Sequence, residues 1–144
     1  MKIFLVLALF SSFYSIDEIT YHKKIGGYIR RFSDEFKVTF NRYSGIKAEY
    51  LLPPYRIHSK GRKYYNLTCE ELGLPSLKEL FKLFDKINFP EETNWKDSRF
   101  FDLPFWHLYV DKKDYYSNGR PDFLKRFDEI VNIKKIKEYC KKKY

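Results

Sequence analysis

Apolar and polar positions alternate most regularly between residues 36 and 52. Phe36, Val38 and Phe40 interleave with Lys37, Thr39 and Asn41. After Ser44-Gly45, Ile46, Ala48, Tyr50 and Leu52 interleave with Lys47 and Glu49. Successive side chains of a strand point to opposite faces, so two such runs about a Ser-Gly turn predict a β-hairpin with one wet face. Pro53-Pro54 closes the second run, because proline cannot donate to a ladder. Residues 55–59 and 62–67 predict a second hairpin around Lys60-Gly61, and residues 105–110 a buried strand.

Elsewhere the period lengthens to that of a helix. Leu77, Leu80, Phe81, Phe84 and Ile87 share one face, with Lys78, Glu79, Lys82, Asp85 and Lys86 on the other. Ser76 with Glu79 forms a capping box at the start, as Thr68 with Glu71 does upstream. Phe123, Phe127, Ile130 and Val131 share a face after Pro121, and Ile133, Ile136 and Cys140 continue a drifting stripe beyond Asn132. Ile25, Tyr28, Ile29 and Phe32 recur at helical spacing and predict a helix within residues 17–32, weakened by Gly26-Gly27. Residues 90–104 read as a loop and 111–121 as turns. The expected fold is α+β: a small antiparallel sheet of three to five strands covered by two or three helices.

The N-terminus changes the picture. Lys2 precedes an unbroken apolar run from Ile3 to Phe10, followed by Ser11, Ser12 and Ser15. That is the layout of a secretory signal peptide over residues 1–15. It is too short for a membrane span, which needs about 20 apolar residues. The cleavage end is imperfect: cutting after Ser12 or Ser15 leaves Phe at position −3. The mature chain is expected to begin near Ile16 and to form one secreted domain over 16–144. No later apolar run is long enough to span a bilayer.

An extracellular address bears on three other residues. Cys69 and Cys140 are the two cysteines, and an even pair in an oxidising compartment predicts one disulfide. It would close a loop of about 70 residues and contribute roughly 4 kcal/mol. Asn66-Leu67-Thr68 is an N-glycosylation sequon.

Composition adds less. Net charge is +9, aromatics are 20% of residues, and alanine occurs only at Ala8 and Ala48. The basic excess is spread evenly, so it marks a solubilising surface more than a polybasic arm. Many aromatics in a domain of this size fill a core first.

The best local binding candidate is the hairpin at 55–65. Arg56, Lys60, Arg62 and Lys63 stand there without an acid, flanked by Tyr55, Tyr64 and Tyr65. Such a tip suits sulfate or phosphate. The leading expectation is a secreted binding protein meeting an extracellular protein, or an anionic polymer or lipid surface, with nucleic acid disfavoured. One alternative is a small secreted hydrolase, nuclease-like in one version, using His58, His107 or both, with Asp102 or Asp111 as the orienter of His107. Another is a structural secreted protein with no discrete site. G-x-S-x-G, H-E-x-x-H, C-x-x-C and calcium-loop spacings are all missing, so no cofactor or metal is expected.

Overall fold

The computed structural model describes residues 15–25, 35–51, 62–91, 104–117 and 119–143. The described residues form six strands: β1 (Glu18–Ile25), β2 (Glu35–Asn41), β3 (Gly45–Leu51), β4 (Lys63–Leu67), β5 (Pro104–Val110) and β6 (Lys113–Ser117). The three described helices are α1 (Leu77–Asp85), between β4 and β5, then α2 (Asp122–Val131) and α3 (Ile133–Lys143) after β6. All six strands join one sheet in the order β4-β3-β2-β1-β5-β6, every neighbouring pair antiparallel.

This corrects the expected sheet of three to five strands: six antiparallel strands carry three helices. Two strands make the difference. β1 lies where a helix was expected, and it is a central strand paired on both sides. Its inward positions are Ile19, Tyr21 and Lys23, so its apolar alternation is weak. Two full ladders of hydrogen bonds outweigh that local signal. β6 grows from a segment rich in turn residues. Asp111 adopts φ 52°, a left-handed conformation that Asp tolerates, and a two-residue turn brings Lys113 opposite Val110. Of the leader only Ser15 is described, and the segments at 28–32, 55–59 and 92–103 lie outside the described residues.

Register divides the sheet into two faces. Leu67, Ile46, Phe40, Ile19 and Val110 stand in one row, and Tyr65, Ala48, Val38, Tyr21, Leu108 and Tyr115 in the next. The helices cover these rows. Phe40 reaches both Phe84 of α1 and Phe127 of α2, at 5.6 and 5.8 Å between ring centroids and edge-on in each case. Phe84 and Phe127 meet each other at 5.5 Å.

The ends of the elements follow from local chemistry. Ser76 caps α1 by accepting from the Glu79 amide at 3.3 Å. The Thr68–Glu71 box forms reciprocally, at 2.7 and 3.2 Å, but it closes a turn rather than opening a helix. Asn132, at φ 53°, ends α2 and lets α3 change direction. Between β2 and β3, Asn41 Oδ1 accepts from the Tyr43 and Ser44 amides, each at 2.9 Å. Gly45 completes that turn at φ 93°, where a side chain would be strained.

Replacing Phe40 by Ala removes the ring shared by the sheet and two helices. The expected loss is about 3–5 kcal/mol in urea unfolding. Tyr43→Ala, at a side chain 79% exposed, should change stability by under about 0.5 kcal/mol.

Candidate functional site

The opposite face of the sheet is polar. One row crosses all six strands: Tyr64, Glu49, Lys37, His22, His107 and Tyr116. The next runs Asn66, Lys47, Thr39, Thr20, Tyr109 and Asp114. At the usual strand spacing each row spans about 24 Å. Thr20 and His22 are the buried polar residues of the described chain, and both stand on this face of the central strand.

His22 and His107 are direct cross-strand partners, which places their Cβ atoms about 4.5–5.5 Å apart. Each imidazole is held by a carboxylate. His22 Nε2 lies 2.7 Å from Glu35 Oε1, and His107 Nδ1 lies 3.1 Å from Asp114 Oδ1. The Tyr109 and Tyr116 rings stack with the His107 imidazole, at 5.6 and 5.5 Å between centroids. Thr20 and Thr39 share a hydroxyl hydrogen bond of 2.9 Å. The histidine side chains keep 11% and 16% exposure, so an edge of each meets the surface.

Glu35 is the hub of an ionic chain. The Arg62 guanidinium donates to Glu35 at 3.5 Å and to Glu49 at 3.2 Å. Partial burial alone would raise the Glu35 carboxyl. The His22 hydrogen bond and the Arg62 and His22 charges outweigh burial and hold it below the ordinary glutamate range. The other carboxylates of this face are engaged too: Asp114 with His107, and Glu18 with the Asn41 amide at 2.9 Å. Lys37 and Lys47 make no ion pair among the described residues. They sit on adjacent strands, Lys37 opposite Glu49 and Lys47 two residues before it. That diagonal separates their backbones by about 7–8 Å.

The candidates read from sequence are therefore redistributed. Arg62 is near the polar face but neutralised by two carboxylates. Lys63 pairs with Tyr50 in the row that faces the helices. Arg56, His58 and Lys60 lie outside the described residues, as does Asp102. Asp111 does not orient His107; its carboxylate accepts from the Asp17 and Glu18 amides, each at 3.0 Å. Asp114 holds His107 instead. Asn66 is exposed on edge strand β4. His22, Glu35, Lys37 and Lys47 were missed as a group. Reading residues 18–25 at period two would have put Thr20 and His22 on the face of Lys37 and Thr39.

Both cysteines stand as free thiols. Burial pushes the Cys140 thiol up to about 11, with Glu71 adding to the shift and Lys143 opposing it. Burial also raises Cys69. Neither is a thiolate near neutral pH, so neither is an activated nucleophile. Among the described residues no three His, Cys, Asp or Glu side chains cluster as metal ligands, and no helix is long and apolar enough to cross a membrane. On the helical side, Leu83, Ile87, Pro90, Phe123 and Ile130 line an open groove whose charges are two of each sign, Lys86, Arg126, Asp122 and Glu129. A scan of protein-family models and searches of curated proteins and solved structures return no match to this chain.

The depressed Glu35 carboxyl gives a pH prediction. Its contribution is fully present above the ordinary glutamate value and is lost as pH falls through the lower folded value. Urea midpoints measured from pH 7 to pH 3 should fall on acidification. Glu35→Gln should flatten part of that decline.

Proposed function

We propose that this is a secreted binding protein whose polar sheet face takes a phosphate- or sulfate-bearing ligand, with Lys37 and Lys47 as the contacting cations. The observation that carries the reading is electrostatic. Every carboxylate on that face is engaged by a partner on the same surface, whereas the two lysines are in no ion pair among the described residues. Among the described residues Lys37, Lys47 and Arg62 face Glu18, Glu35, Glu49 and Asp114 here, and the two lysines are the cations of the face that stand outside any ion pair. Tyr64, 70% exposed at the end of the row, adds a flat ring beside the cations. This reading moves the anion site inward from the 55–65 hairpin, because Arg62 is already spent. Secretion is supported by the leader pattern at residues 1–15 and by the exposed sequon asparagine, Asn66.

A charge-assisted contact contributes about 1.5 kcal/mol, roughly tenfold in affinity. The Lys37→Ala/Lys47→Ala variant should therefore bind heparin, polyphosphate or anionic vesicles about 100-fold more weakly. The three probes separate sulfate, free phosphate and lipid sources. Lys141→Ala/Lys142→Ala, at the exposed end of α3, controls for general charge. Equal binding by the sheet variant and the native protein at low salt rejects the site.

A second reading is favoured by one observation, the paired histidines. Two imidazoles in direct register, each oriented by a carboxylate, can take and give protons on a ligand held by the lysines. That would make the protein a small hydrolase of phosphodiesters. It replaces His58 with His22 as the partner of His107. Hydrolysis of a chromogenic phosphodiester should then fall at least about 100-fold in His22→Asn and in His107→Asn. Activity that survives both changes removes this reading.

A further inference from the structure

We infer that the leader is cut between Ser15 and Ile16, and that the α-ammonium group created at Ile16 becomes a structural cation paired with Asp85. The inference goes beyond the binding face and rests on the leader reading alone. The described chain is anchored at Ile16. Ser15 is exposed, whereas Ile16 is 2% exposed and belongs to the core. The Ile16 nitrogen donates to Asp85 Oδ1 at 2.9 Å. Its carbonyl accepts twice from Arg42, from Nε at 2.9 Å and Nη2 at 2.7 Å. Asp17 and Glu18 then lean their amides on Asp111.

The local charge is short of one cation. Asp85 is the last residue of α1, where the helix dipole is negative and a carboxylate is misplaced. Arg42 Nη2 meets it at 3.1 Å, and Cζ of the same guanidinium stands over the Phe81 ring at 4.8 Å. Arg42 Nε lies 3.9 Å from Asp17 as well, so a single guanidinium serves two carboxylates. An uncleaved chain presents only a neutral amide to Asp85. Hydrolysis of the Ser15–Ile16 bond by a signal-peptidase-type protease adds one water. It leaves a carboxylate on the departing leader and an ammonium on Ile16, at a nitrogen already within hydrogen-bond distance of the acid. Asp17, Arg42, Asp85 and the new ammonium then sum to zero.

The test compares two chains, one beginning at Ile16 and one retaining Ser15. An amine near a carboxylate has a raised pKa, so its contribution is present below the ordinary amine value and is lost as pH rises through the folded value. The Ile16 form should melt about 3–6 °C higher at pH 6.5, and the gap should close above about pH 9–10. Asp85→Asn keeps an acceptor but removes the charge, and it should erase the gap at every pH. Terminal sequencing of protein secreted from cells should read Ile-Asp-Glu. Equal melting of the two forms at pH 6.5 overturns the ion pair, and a secreted chain starting at another residue overturns the cleavage site. Neither result touches the lysine face, which is read by ligand binding.

Discussion

Phe40 is where the architecture is decided. Its ring is the point at which the sheet, α1 and α2 are packed on one another. A sheet covered by helices on one face can bury only every second residue of each strand. In this chain the inward set is dense with rings. Phe36, Phe40 and Tyr50 are fully buried from β2 and β3, and Tyr115 from β6. Phe123 joins Tyr115 at 5.0 Å and Trp106 at 6.0 Å, tying α2 to β5 and β6. Trp106 in turn donates its indole N–H to the Gly119 carbonyl, so the approach to α2 is fixed as well.

That one-sidedness sets the terms for the other face. Side chains there get no apolar cover from the described helices, and those at the centre are still screened by their neighbours. They must satisfy each other across strands. The His22–Glu35–Arg62–Glu49 chain and the Thr20–Thr39 bond do so. Among the described residues, Lys37 and Lys47 are then left outside any ion pair. Site and scaffold therefore share one cause, the alternation that sends Phe36, Val38 and Phe40 inward and Lys37 and Thr39 outward.

How much of this was legible depended on how far each segment could be read alone. The β2–β3 hairpin announced itself, since both strands alternate cleanly around a glycine that must adopt positive φ. So did α1, with its serine cap and its Leu80, Phe81 and Phe84 stripe. β1 did not, because its inward positions include Lys23 and its stability comes from neighbours on both sides. β6 was hidden by Asp111, which reads as a turn residue and is one, but also returns the chain as a strand. The site was harder still. His22 and His107 are 85 residues apart, and only pairing of β1 with β5 makes them neighbours. The cysteine pair is a chemical expectation of the compartment, and the structure holds both as thiols.

The two strands at the margins of the sheet differ from those inside it. β4 and β6 have five residues each, whereas β2, β3 and β5 have seven and β1 has eight. Both marginal strands open with lysine, Lys63 and Lys113. Short, charged borders are how open sheets resist adding a strand from another molecule. Asn66 lies on one of these borders, so a sugar chain attached there would block that border against stacking of one copy on the next. The sequon thus bears on self-association at β4, the border that a sugar chain would guard, and not at β6.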